Sequence, residues 1–481
     1  MKKLNIYLLL IVFFLTTLYS CKKLVEVDSP KNQLVNETVF QSKETANAAM
    51  LGIYTRLGTL KGSGSYTISF LTGLSSDELK NNGTLHITTY INAINPANNA
   101  EATPFWIASY DLIYLANGII EGCIKSTTLD LPVKKQLIAE SKFIRAFVYF
   151  NLINLFGDVP IVLTTDYTVN ATLPRASSSK VYERIILDLQ DAKNNLNINY
   201  VGIDGLSTSN ERIRPNQYTA TAMLARVYLY TGNYSAAESM ATTVIDNSSV
   251  YDLVNLENVF LKNNKEAIWQ LQMNTNSSIN SLEGSNFIPQ SNPVTEGKPI
   301  ISTQQLEAFE PGDLRQSNWI GKITVVGKDY FYPFKYKVRL GSSASATEYP
   351  TYIRLAEMFL VRAEARNEQS NTLGAVADLN KLRARARGAS TVDTPNPLPA
   401  LAATLPKEQL NTAILHERQV ELFAEGHRWY DLKRTKTIDQ IMSTVTPLKG
   451  GGQWASYKQF WPLSDAELLK NRNLKQNDGY N

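Results

Sequence analysis

The chain has 481 residues, 43% hydrophobic and 19% charged, with a net charge of +4. That is material for one large core or two lobes, since single cores stop growing near ~250–300 residues. So small a charge, with no run of five basic residues, leaves no electrostatic footprint for nucleic acid.

The first element is "MKKLNIYLLLIVFFLTTLYSC". Lys2 and Lys3 form a basic start, and Ile6 to Leu18 an apolar run shorter than the roughly 20 residues a bilayer span needs. Leu18, Ser20 and Cys21 resemble a lipobox, with Tyr19 bulkier than usual there. A bacterial lipoprotein signal over 1–20 with lipidation at Cys21 is expected; the alternative is cleavage elsewhere, with Cys21 incidental. Cys123, in "NGIIEGCIK", reads as a small apolar core residue without a disulfide partner.

From residue 44 onward, helical periodicity dominates the chain. Helices are predicted at 44–58, 104–125 and 137–157, the last stopped by Gly157 before "DVP". Others are predicted at 178–196, 216–246, 352–386, 406–434 and 464–470, where Ser464 and Glu467 have capping-box spacing. In "MLARVYLYTGNYSAAESMATTVI" (223–245), Leu224, Ala225, Tyr228 and Ala237 fall at tetratricopeptide spacing. The alanines let two antiparallel helices approach, Leu224 and Tyr228 fill the gap to the next pair, and Gly232-Asn233 turns the chain. Weaker units surround Ala146 and "AEMFLVRAEARN" (356–367). The expected fold is mostly α: a tetratricopeptide-like helical-repeat scaffold with an irregular, loop-rich half carrying short β-hairpins. The irregular segments are 59–103 and 274–350. Within the second, "GKITVVGKDYFYPFKYKV" (321–338) predicts a hairpin about Gly327. Loops this long are where ligand contacts are expected.

"HERQVELFAEGHRWYDLKRTK" (416–436) concentrates ionisable residues. His416 and His427 are about 16 Å apart along a helix at 1.5 Å per residue, too far for one metal, and His86 lies in a loop, so no metal site is expected. Glu417, Glu421 and Glu425 share a helical face, whereas a glycosidase sets its carboxyls across a cleft. Arg418 and Arg428 stand three residues from Glu421 and Glu425, the spacing of helical charge pairs. Val420, Phe423, Ala424 and Tyr430 form an apolar stripe, so the stretch reads as a core helix with a charged face. G-x-S-x-G, Walker A and Rossmann motifs are absent, and "GSGSY" (62–66) and "KGGG" (449–452) read as turns.

This stretch resembles the hallmark helix of the SusD/RagB family, the lipid-anchored nutrient-binding proteins of the Bacteroidetes outer membrane. Glu417, Arg418, Glu421, Glu425, Gly426, His427, Arg428, Trp429, Asp431, Leu432, Lys433 and Arg434 match; Leu422 replaces the usual Phe, and Phe423 follows. "CKKLVEVDSP", "FIRAFVYFNLINLFGDVPIV", "LPRASSSKVYERIILDLQDA", "RPNQYTATAMLARVYLYTGNY", "RLAEMFLVRAEARN" and "PLSDAELLKNRNLKQNDGY" resemble its other segments, in order. The resemblance implies a signal peptide (1–20), an N-terminal SusD-like region with helical repeats (21–250) and a C-terminal SusD/RagB region (251–481). It implies a non-catalytic protein, without cofactor, that binds an oligosaccharide or another nutrient such as a peptide. Delivery would be to a SusC-like TonB-dependent transporter of the outer membrane, from the cell exterior. The other reading is a helical-scaffold glycoside hydrolase. Aromatic rings stack on sugars and polar side chains read hydroxyls, so Tyr66, Asp77, Tyr90, Trp319, Tyr330 and Tyr332 are the candidate ligand residues.

Overall fold

Residues 36–58, 64–97, 99–273, 279–340 and 346–480 are described in a computed structural model of the chain. The expected signal sequence and Cys21 lie outside them.

Helices carry the architecture, and their ends obey local chemistry. α1 (Lys43–Leu57) starts at Ser42, whose hydroxyl accepts from Thr45 N. α2 (Ser65–Ser75) and β1 (Leu79–Lys80) precede α3 (Ala102–Lys125). α4 (Leu131–Phe156) has proline in its first turn and stops at Gly157, whose φ of 74° suits a residue without Cβ. α5 (Ser178–Asn195) comes next. α6 (Gln217–Tyr230) opens on a reciprocal cap between Asn216 and Thr219. α7 (Tyr234–Ile245) starts after a turn through Gly232, φ 72°. Ala225 and Ala237 are fully buried, as the close approach of this helix pair requires.

Each of α3 to α7 packs on the next. α7 then packs on α8 (Leu355–Glu368), although residues 246–354 intervene, and α8 packs on α9 (Thr372–Ala386) and α10 (Lys407–Leu422). The helical stack is therefore one scaffold, and the chain between α7 and α8 leaves it and returns. Buried guanidinium–carboxylate pairs fasten successive layers. Arg145 of α4 holds Asp188 of α5 at 2.8 Å, Arg226 of α6 holds Glu357 of α8 at 2.6 Å, and Arg362 of α8 holds Asp378 of α9 at 2.7 Å. Cys123 is buried and free.

Strands are few. β1 pairs antiparallel with β3 (Ile300–Ile301), β2 (Ala267–Gln270) with β6 (Thr351–Arg354), and β4 (Ile320–Val325) with β5 (Lys328–Pro333). The last is the predicted hairpin, turning through Val326 and Gly327, φ 48° and 74°.

Two sequence expectations are corrected. The irregular segment 59–103 contains helix α2, because residues 66–77 are buried throughout and so carry no amphipathic period to read. The helix expected over 406–434 is two, α10 and α11 (Arg428–Arg434), with the last long helix, α12 (Ile438–Leu448), and the short α13 (Asp465–Lys470) beyond. The break comes at Ala424 and Gly426, φ 54° and 84°. A Cβ on Gly426 would lie 2.6 Å from Ile68 Cγ2, so both backbone angle and space demand glycine. Gly426→Ala is expected to destabilise by about 2–3 kcal/mol, combining left-handed strain with overpacking. A melting temperature unchanged from wild type would refute this.

Candidate ligand-binding face

The two irregular segments close on each other. Leu79 and Lys80 pair with Ile301 and Ile300. Ser302 N donates to Glu78 O at 2.9 Å, and Ser302 Oγ donates to Asp77 O. Asn82 Nδ2 donates to Lys298 O at 3.2 Å. β3 packs beside β5, so the hairpin joins the same face. The loops are held by their own side chains before any ligand arrives. Asn81 Nδ2 donates to Gly83 O (3.0 Å) and Leu85 O (2.8 Å), and the Glu296 carboxylate accepts from Gln290 N at 3.0 Å. Tyr332 stands across the hairpin from Gly321, where a Cβ would lie 2.3 Å from its ring; the glycine leaves the ring room to lie over the strand. Phe334 meets Tyr332 edge-on at 5.7 Å. The face thus offers half-buried Tyr332 and Phe334 beside amide side chains and the Lys298 ammonium.

Of the predicted site residues, Tyr332 is the most open to solvent; the others are buried. Trp319 is fully buried, with its Nε1 donating to Leu256 O at 3.0 Å and the Lys335 ammonium 4.6 Å from its ring centre. Tyr66 is buried and stacks on Phe70 at 5.3 Å. Tyr90 and Tyr330 are buried to the same degree, under Lys449 and Lys328 at 5.0 Å each. Asp77 is buried and takes both Arg428 Nε (2.8 Å) and Nη2 (2.7 Å). Burial would raise its pKa, but Arg428 outweighs that and holds it below the usual carboxylate range. Sequence reasoning missed Asn81, Asn82 and Lys298; the turn signal "KNNG" is the clue that could have found the first two.

Apart from exposed Lys436, the charged residues of 416–436 are buried or half-buried rather than solvated. Glu417 accepts from Arg315 at 2.5 Å and from Arg383 at 3.2 Å. Glu421 accepts from Arg315 (2.9 Å), Arg354 (2.6 Å) and Arg385. Glu425 accepts from Lys335 (2.5 Å) and Arg354 (2.7 Å). The helical pairs expected from spacing do not form: Arg418 reaches Asp431 at 2.7 Å, and Arg428 reaches Asp77. His416 Nε2 lies 2.7 Å from Ala308 O, while His427 is buried elsewhere. Among the described residues, no three His, Cys, Asp or Glu side chains gather to hold a metal.

A family model described as "SusD family" matches residues 302–480, and one described as "Starch-binding associating with outer membrane" matches 24–229. The chain belongs to the SusD/RagB family. Its members are non-catalytic binding proteins associated with the outer membrane. A SusD-like protein, P2, of Formosa agariphila is 28% identical over 98% of this chain and 99% of its own. A SusD superfamily protein from Bacteroides vulgatus has the same fold, with a TM-score of 0.76 at 20% identity over 92% of this chain and all of that one. A solved structure titled laminarin binding SusD-like protein gives 0.72 at 24% identity, over 91% and 99% of the two chains.

In this SusD-family chain the hallmark stretch is scaffold, an ion-paired keystone whose partners include Arg315 and Lys335 of the irregular segment. Its buried charges set an acid response. Burial would raise Glu425, but Arg354 and Lys335 bring it down to about 2, and burial pushes His427 down to about 4. A depressed carboxylate adds stability above its unfolded pKa near ~4.3 that is lost as pH falls through the folded value. A depressed histidine is protonated first in the unfolded chain, so it removes stability as pH falls from ~6.5 to about 4. Urea-unfolding free energy is expected to fall steadily below pH ~6.5. His427→Gln should flatten the upper part of that slope, worth up to roughly 3 kcal/mol, and leave the lower part. An identical slope in the variant would refute the assignment.

Proposed function

We propose that the chain is a lipoprotein anchored through Cys21, facing the cell exterior, that captures an oligosaccharide on the loop-built face and passes it to a SusC-like TonB-dependent transporter. The supporting observation is the meeting of segments 79–86, 290–301 and the β4–β5 hairpin on one rigid support. Half-buried Tyr332 and Phe334 suit the C–H faces of a sugar, while the Asn82 amide and the Lys298 ammonium, which also donates to Ser285 O at 2.8 Å, supply partners for hydroxyls, and Asn81 shapes the loop. The name of the laminarin-binding relative supports a glycan as the ligand class. The hydrolase reading finds no support in Glu417, Glu421 and Glu425, whose oxygens are taken up by guanidinium and ammonium groups. The test is a glycan panel scored for both binding and turnover. Binding without turnover is expected, and Tyr332→Ala should weaken it about tenfold, near 1.4 kcal/mol. Undiminished affinity in that variant would exclude Tyr332 from the site, and turnover by the wild type would overturn the reading. Protease shaving of intact cells should remove the protein, whereas protection would place it inward.

A further inference from the structure

Helix α3 turns one stripe away from the core. Ile107, Tyr110, Asp111 and Tyr114 recur at helical spacing and share a face. Ile107 is 41% and Tyr114 50% exposed. Across from them stands Tyr167, 79% exposed, at the start of the short helical turn Tyr167–Asn170 after α4. Between these elements and α13 lies a groove of about 430 Å³. Its aromatic wall is fixed: the Trp106 and Tyr110 rings are 4.8 Å apart, and Tyr110 Oη donates to Pro160 O at 2.9 Å. Asn170 also lines it. Its Nδ2 donates to Thr164 O at 2.8 Å, while its buried Oδ1 accepts from no donor among the described residues.

Single exposed tyrosines are ordinary on a protein surface, but aromatic rings converging on one concavity are not. We propose that this groove is a second glycan site, built by the helical scaffold and separate from the loop-built face. The inference rests on the glycan reading proposed for that face. The volume falls within the ~300–1,000 Å³ usual for small-ligand sites. Tyr114 and Tyr167 offer ring faces to the C–H side of a pyranose, and the exposed Asp111 carboxylate offers acceptors to its hydroxyls. A wholly apolar ligand would bury Asp111 without a donor, at a desolvation cost. The charges on the α13 rim pair with each other, Lys470 to Glu467 at 2.6 Å, which suits a neutral ligand. Two sites on one chain would grip a polymer by avidity, so polymer binding should exceed what either site gives alone.

The experiment uses the full chain in detergent. Affinity electrophoresis in laminarin and starch gels measures polymer binding, and calorimetry with short laminari- and malto-oligosaccharides counts sites. Tyr114→Ala/Tyr167→Ala removes two exposed rings and should leave the melting temperature unchanged. It is expected to weaken polymer binding at least tenfold and to reduce the oligosaccharide ratio from two per chain to one, while Tyr332→Ala weakens the other site about tenfold. Wild-type polymer affinity and ratio in the double variant, with loss in Tyr332→Ala, would overturn the groove site and leave the loop-built face standing. A wild type that binds no glycan would overturn both.

Discussion

Glu421→Gln is expected to lower the unfolding free energy by about 3–5 kcal/mol. The carboxylate is fully buried and faces Arg315, Arg354 and Arg385. Burial alone would raise its pKa, but the guanidinium groups of Arg385, Arg354 and Arg315 hold it well below the usual range. An amide of the same shape keeps the packing and removes the charge. Three guanidinium groups are then left with Glu266, Glu417, Glu425 and Asp313 as their remaining carboxylates, spread over separate elements. The cost is that of uncompensated buried charge, not the worth of the cluster against an apolar core. Urea unfolding at neutral pH reads it directly. A shift under about 1 kcal/mol would mean that water or side-chain rearrangement meets those charges.

Arg428→Met should loosen the loop-built face locally and weaken binding with it. Its guanidinium is the bidentate partner of buried Asp77, and Lys449 Nζ donates to Leu74 O (2.7 Å) and Ser75 O (3.1 Å) just before it. Without Arg428, Asp77 is buried with Lys449 as its nearest remaining cation, and the turn leading into β1 loses its clamp. The expected cost is again about 3–5 kcal/mol for a broken buried pair. Hydrogen exchange should quicken across 74–101 while α4 stays protected, and glycan binding should fall with it. Uniform loss of protection from α4 through α8 would sink the idea of a local clamp.

The repeat scaffold was legible because its signal is local. Ala225 and Ala237 with Gly232 between them announce a helical hairpin, and Gly157 announces a helix end. The hallmark stretch was legible as scaffold but not as wired. Spacing suggested Arg418 with Glu421, yet the geometry gives Arg418 to Asp431, Arg428 to Asp77 and Arg315 to Glu417. Those choices depend on which elements meet across the fold, and no short window carries that information. The same limit explains the site residues. Residue type points to Trp319 and Tyr66 as sugar platforms, but large rings also fill cores, and here long-range packing buries both. Tyr332 stays half-exposed over Gly321, whose missing side chain leaves the ring room to lie on the strand.

The excursion between α7 and α8 has a consequence for how such chains can vary. Its two ends emerge from helices that touch, so the segment is a cassette plugged into an unbroken stack. Lengthening or recasting it changes the closure entropy only logarithmically and does not alter the register of the helices on either side. A new specificity is therefore graftable by exchanging that cassette, provided the replacement still presents cations equivalent to Arg315, Lys335 and Arg354 to the keystone glutamates and keeps Trp269 packed on Phe143 and Phe147.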